Sequence, residues 1–398
     1  MSLFASDQVP LSARGKPRVL FIDAARGAAM FFVLLAHFGF SFFDDRQARL
    51  PTILKLVSMV ASPTFMILSG MLVGFLYQLR PASFERLRLK LADRGLFILT
   101  VGHLVLLASH VPFYTIRFLS ITDTIAICMV VQPWLVMRVS ARGRVLLALS
   151  LYAASWTLAV AWHPAGTFAT LFKDIAFGTF DGRTYFVYQF SVVPWFSLDL
   201  AATALGGCLG RYYVDGERAA AQRLLLTTAT IAVVSAVVAK VAFFVAVHAH
   251  PEIPWLVAGR GFLSPFSKDP PSPVYIAFYG GLGLYLLSFS FFLECRGALA
   301  AHMERVAIIG RTSLFVFLSH WFVYLVVVMG LRSFLPFRWA WPVYFVLSCV
   351  PVIWASSYWY RKDYNRFFTV GLARVLDRRR PSARPRIPTF EQAPSTAI

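Results

Sequence analysis

Residues 21–38 read FIDAARGAAMFFVLLAHF, an apolar run of membrane-spanning length that nonetheless carries Asp23, Arg26 and His37. A charge at the bilayer centre costs roughly 3 kcal/mol or more on insertion scales, so ionisable groups inside such a run need a reason. Asp23 and Arg26 lie within the first two turns, where an i, i+3 ion pair satisfies both, and Arg26 can also snorkel to the headgroups. His37 has no such escape, being about 16 Å further along the axis. Eleven residues are nearly three full turns, so Arg26 and His37 project from one face with an offset of only about 20°. That face cannot point at lipid. Either Arg26 anchors the helix and His37 bonds a neighbouring helix, or the two line a cavity entered from the cytoplasm, with the cation near its mouth and the imidazole at its end. The second reading accounts for both groups together and is preferred.

The rest of the chain supports a membrane setting. Of 398 residues, 58% are hydrophobic and only 14% charged, and the mean hydropathy is +0.65, outside the range of soluble domains. About 20 helical residues cross a hydrocarbon core. Ten segments qualify, near 19–40, 53–79, 95–113, 117–137, 144–162, 190–210, 224–248, 273–293, 306–330 and 339–360, with Asp123 and Asp199 interrupting the fourth and sixth. The expected fold is all-α: a polytopic integral membrane protein of about ten helices. It comprises an N-terminal tail (1–18), a membrane domain (19–360) and a basic, Pro-rich C-terminal tail (361–398), disordered from about Gly371. About two thirds of the 38 basic residues fall in the tails and alternate loops on one side, which the positive-inside rule makes cytoplasmic, with both termini. Asp23 and Arg26 break what would be the apolar region of a cleavable signal peptide, so the first helix is expected to stay as an anchor.

A net charge of +19 raises the question of nucleic acid. The basic residues are scattered over short loops and one tail, which fits topology and anionic lipid headgroups and excludes a nucleic-acid groove. Cys128, Cys208, Cys295 and Cys349 show no CxxC or metal-like spacing and read as packing residues. No metal site is expected.

The first segment, opening FIDAARGAAM with ten residues between Arg26 and His37, resembles the Arg-X10-His signature of the transmembrane acyltransferases. That group takes in the acyltransferase-3, heparan-α-glucosaminide N-acetyltransferase-like and periplasmic-glucan succinyltransferase families. FMILSGMLVGF in the second segment resembles the Ser-Gly step common there (Ser69, Gly70). FERLRLKLADRG resembles the basic segment that follows, and IGRTSLFVFLSHW is similar to the late helix ending in histidine, here His320. The likeness runs in order through residues 18–330. GHLVLL with His103 and ITDTIAICMVVQPW with Asp123 are more similar to the succinyltransferase branch. Asn365 is the chain's single asparagine, so no scheme requiring an intramembrane Asn applies.

The resemblance implies acyl transfer from coenzyme A, as acetyl-CoA or succinyl-CoA, with no tightly bound cofactor. The chemistry needs a base or nucleophile, an anchor for the donor and stabilisation of a developing oxyanion. An imidazole titrates near neutrality, so His37 suits general-base catalysis or transient acylation, and the sequence leaves both open. Arg26, Arg86, Arg88, Lys90 and Arg94 offer cations for the donor's phosphates on the cytoplasmic side; the loop members among them also serve topology. Arg311 and Ser313 stand beside the start of the ninth segment, where free N–H groups favour anions. His320 either assists His37 or is bonded in the core. Asp23, Asp123, Asp199, His103 and Lys240 are further ionisable groups, Asp123 or Asp199 being suited to setting a histidine tautomer. Trp162, Tyr185, Trp195 and Trp255 line a glycan site or form an interfacial belt.

The expectation is an integral-membrane O- or N-acyltransferase moving an acetyl or succinyl group to a carbohydrate-type acceptor, in a bacterial inner membrane. The rival is a secondary transporter or flippase, though the two halves of the chain show no self-similarity.

Overall fold

The computed structural model describes residues 19–43, 49–108, 117–179, 186, 190–250, 252, 259, 262–334, 340–373 and 375. Among them are ten helical spans long and apolar enough to cross a membrane: α1 (Leu20–Phe42), α2 (Arg49–Leu79), α3 (Pro81–Ala108), α4 (Ile121–Arg138), α5 (Ala141–Ala161), α6 (Val192–Val214), α7 (Arg218–Ala249), α8 (Pro273–Arg296), α9 (Ser313–Arg332) and α10 (Trp341–Arg361). The all-helical, ten-span expectation holds. The expectations for residues 1–18, and for the tail beyond 375, lie outside the described residues, as do Tyr185 and Trp255.

Several boundaries differ from the sequence reading, three of them for a clear local reason. Helix α3 takes in the basic stretch FERLRLKLADR, because Pro81 opens it and no breaker intervenes. Helix α4 starts at Ile121 because Ser120 and Asp123 form a reciprocal capping box. Asp123 therefore starts that helix instead of interrupting it. The expected ninth segment divides into a short helix, Ala300–Arg311, and α9, with a break at Thr312.

Small residues set the packing. Lipid tails are as apolar as Leu, so membrane helices associate by close backbone approach and van der Waals contact. Gly70 and Gly74 of α2 press against the backbone of Asp199 and Thr203, and Gly206 of α6 presses against Met71; a Cβ at any of the three would overlap main chain. Gly27 of α1 and Gly310 of the short helix meet in the same way, through Val306 and Asp23. Around these crossings Phe21, Phe75 and Phe291 form an aromatic core, with Phe21 and Phe291 centroids 4.9 Å apart. Helix α7 exposes Ile231, Val234, Val238 and Phe244, an apolar surface suited to lipid.

Candidate active site

Helices α1, α2, α3, α4 and α9 line a cleft. Its polar lining is Arg26 of α1, Ser69 of α2, Arg94 of α3, Thr122 of α4, Ser313 of α9 and Arg311, which ends the short helix. Residues far apart in sequence meet here because α1 carries the short helix on its glycine face and α3 packs on α4 through Gly95, whose missing side chain admits Ala126 and Val130. Pro133 in α4 lacks the N–H that would bond the Met129 carbonyl, and Met129 lines the cleft.

The charges in the cleft are unevenly compensated. Asp23 accepts from the Arg311 guanidinium at 3.0 Å and lies 4.0 Å from that of Arg26. Arg311 is also held by Glu304 and by the Tyr360 hydroxyl at 3.2 Å. Arg26 and Arg94 both line the cleft, and Arg94 feels Arg26 as a like charge. Three guanidinium groups line one space, and the carboxylates of Asp23 and Glu304 are taken up mainly by Arg311, which leaves the cleft attractive to anions. Next to Arg94, the buried Asp93 accepts from the Val370 and Leu372 N–H groups at 3.2 and 3.1 Å. Phe368 there packs on Phe97.

His37 opens into a different space. A second cavity lies towards the other end of α1 and is lined by His37, Phe40, Lys55, Ser58, Ser62, Phe118, Ser120, Phe190, Phe266, Lys268 and Trp321. Phe65 of α2 and Phe317 of α9 line both spaces. Arg26 and His37 thus share a helix face, as the spacing required, but stand on opposite sides of an aromatic partition instead of along one continuous cavity. The His37 ring sits 4.9 Å from His320 and 4.6 Å from Trp321, centroid to centroid. His320 is fully buried, its Nδ1 2.7 Å from the Phe317 carbonyl. A carbonyl only accepts, so Nδ1 carries the proton and Nε2 keeps the lone pair in the neutral ring. A π-helical turn, Tyr324–Val328, follows directly in α9, and another, Ile98–Gly102, follows Arg94 in α3; such turns are frequent at functional sites.

The structure therefore gathers Arg26, Arg94, Arg311 and Ser313 in one cavity and His37 beside His320 at the other. Arg86 and Lys90 are exposed on α3 and line neither. Arg88 lies over the Trp134 ring at 3.9 Å and donates to Glu85 at 3.2 Å. His103 and Asp123 bond each other at 3.0 Å, and neither lines the His37 cavity. Asp199 is fully buried against Gly70, beside Cys128 and Gln132. Trp195 is fully buried between Phe190 and Tyr275 and cannot meet a glycan. Trp162 packs on Phe172 and Phe177. Lys240 lies on the outer α7 near Phe243. The four cysteines are free, and no cluster of metal-ligating side chains occurs among the described residues.

Sequence reasoning missed Phe65, Phe317, Trp321, Lys55 and Lys268. The only signal for Trp321 was its place beside His320, and the two lysines were indistinguishable from ordinary loop charges.

The profile of one protein family, described as heparan-alpha-glucosaminide N-acetyltransferase, catalytic, matches residues 18–242, more than half of the chain. The matched range contains Arg26, His37, Arg94 and Phe65, while Arg311, Phe317 and His320 lie beyond it. No curated protein matches the chain.

Proposed function

Because the chain belongs to the heparan-α-glucosaminide N-acetyltransferase-like family of transmembrane acyltransferases, we propose that it moves an acetyl group from acetyl-CoA, held in the arginine cleft, to a hydroxyl or amine presented in the His37 cavity. The observation that carries this reading is the aromatic partition: the cations suited to the donor's phosphates and the imidazole suited to the chemistry face separate cavities that share the Phe65 and Phe317 walls. The arginine cleft is cytoplasmic in this account, since most basic residues cluster at that end.

Arg26 and Arg94 hold the pyrophosphate and 3′-phosphate by charge-assisted hydrogen bonds, while Asp23 and Glu304 hold Arg311 in place beside them. The pantetheine arm passes between Phe65 and Phe317 and brings the thioester carbonyl to His37. In the direct route, His37 takes the proton of the acceptor O–H or N–H as that group attacks the carbonyl carbon. The C–S bond then breaks and the thiolate recovers the proton. In the covalent route, a His37 ring nitrogen attacks the thioester carbonyl carbon and the C–S bond breaks, the thiolate taking the ring proton. The acceptor then attacks the acyl carbon, the C–N bond breaks and the freed imidazole takes up the acceptor's proton. His320, its Nδ1–H fixed on Phe317, packs on the His37 ring and positions it. The acceptor is a carbohydrate by family likeness, and the inner membrane of a bacterium is the proposed location.

Release of free thiol from acetyl-CoA and from succinyl-CoA by the purified protein, with periplasmic glycan as acceptor, tests the reading. Acceptor-stimulated release from acetyl-CoA that vanishes in a folded His37→Ala variant is expected. Acceptor crossing the membrane with no thioester cleavage would establish the transporter instead.

A further inference from the structure

The segment that leaves α10 returns to the rim of the arginine cleft. After Arg361 the chain makes a short turn, Tyr364–Phe367, and then runs past Arg94. Asn365, the chain's single asparagine, lies in that turn. Its Oδ1 accepts from the Trp359 indole N–H at 3.1 Å, and its Nδ2 donates to the Arg311 carbonyl at 3.0 Å. An indole N–H only donates and a carbonyl only accepts, so one orientation of the amide satisfies both. Phe368 is buried between the rings of Phe97 and Trp359, with centroids 5.4 Å from each, and Trp359 stacks in turn on Phe315 of α9. The Arg94 guanidinium lies 5.9 Å from the Phe368 centroid, within reach of a cation–π contact. Leu314, which lines the cleft, packs against the same cluster. Beyond Phe368, the Asp93 carboxylate accepts from the Thr369 hydroxyl and from the Val370 and Leu372 N–H groups. Asp93 thus anchors the far end of the segment, while the rings on either side hold Phe368.

From these contacts we propose that residues 364–372 brace the arginine cleft, with Phe368 and Asn365 as positioning residues that hold Arg94 and the Arg311 backbone at the spacing the donor's phosphates need. The proposal rests on the donor reading of that cleft and gives the cleft a wall outside the ten spans. Apolar packing alone would be met by an aliphatic side chain at 368. A ring face also offers Arg94 a partner that does not neutralise it, so the guanidinium keeps its charge for an anion while its rotamers are restricted before the anion arrives. Asn365 acts on Arg311 through the main chain and leaves that guanidinium to Asp23, Glu304 and Tyr360.

Binding can be measured apart from catalysis. Coenzyme A, which carries the phosphates and no thioester, is titrated calorimetrically into the full-length protein in phosphatidylcholine nanodiscs. Phe368→Ala and Asn365→Ala are each expected to weaken its binding about threefold to tenfold. Phe368→Leu, which keeps an apolar side chain there without a ring face, should weaken it as Phe368→Ala does. In an Arg94→Ala background, Phe368→Ala should change the affinity by less than about twofold, because the group it positions is gone. Wild-type affinity in the single variants, wild-type affinity in Phe368→Leu, or an undiminished loss in the Arg94→Ala background would overturn the brace and leave the donor cleft standing. A wild-type protein that binds no coenzyme A would refute the donor cleft itself, and the brace with it.

Discussion

Arg94 and its neighbour Asp93 divide at the rim of the arginine cleft: Arg94 turns into the cleft, and Asp93 turns away to hold the backbone at Val370 and Leu372. Their substitutions should separate accordingly. Arg94→Ala is expected to raise KM for acetyl-CoA about tenfold to a hundredfold, the equivalent of a charge-assisted hydrogen bond of about 1.5–3 kcal/mol, with kcat little changed. Asp93→Ala should lower the melting temperature instead, since two backbone N–H groups lose their acceptor. Steady-state kinetics and thermal unfolding distinguish the two effects. Trp195→Ala should cost about 3–5 kcal/mol of stability, as deletion of a fully buried aromatic does, while leaving KM for the acceptor unchanged. A raised acceptor KM in a stable variant would return Trp195 to the binding surface. At this scale the face shared by Arg26 and His37 was legible, because helix geometry alone forces it. Phe65 and Phe317 were not, because a phenylalanine that walls a cavity and one that meets lipid look alike in a single sequence. Trp195, read as a glycan wall or part of an interfacial belt, is neither, because in the first turn of α6 its indole turns inwards onto Phe190 and Tyr275.

Between elements, the fold depends on a few positions where one backbone touches another. At Gly74 of α2 and Gly206 of α6 a larger side chain would collide with main chain, which cannot give way as a side-chain tip can. Gly74→Val and Gly206→Val are therefore expected to abolish the folded protein or lower its melting temperature strongly. Gly166→Ala, with no atom within 4 Å of the added carbon, should be neutral. Fluorescence-detected size exclusion and thermal unfolding of detergent extracts check all three. The ten spans were legible from hydropathy, since lipid imposes length and apolarity on each. The short helix Ala300–Arg311 was not. Its sequence reads as a basic loop running into a membrane segment, and only the glycine contact with α1 makes it a separate piece that positions Arg311.

Across the whole molecule, the proposed function uses two cavities with a shared wall. If Phe65 and Phe317 keep acceptor-side water from the thioester, Phe65→Ala/Phe317→Ala should raise acceptor-independent hydrolysis of acetyl-CoA several-fold, measurable as thiol release without sugar. At the His37 end, the loop acid Asp269 adds a pH dependence. Burial pushes its carboxyl up to about 7, against the pull of Lys268. A folded-state value above the unfolded one means the folded protein binds the extra proton, so this contribution is complete below about pH 4 and is lost as pH rises towards 7. The melting temperature should therefore fall between pH 5 and pH 8, and Asp269→Asn should flatten that fall. The division into two cavities was not legible in the sequence, because it depends on where the fold places Phe65 of α2 and Phe317 of α9. The measurement that bears most directly on the account is acetyl transfer across a sealed proteoliposome. Labelled acetyl-CoA is supplied outside, acceptor sugar is trapped inside, and the protein is oriented with its arginine cleft outward. The account predicts labelled sugar in the lumen, absent with His37→Ala. Labelling only when donor and acceptor share one compartment would contradict it.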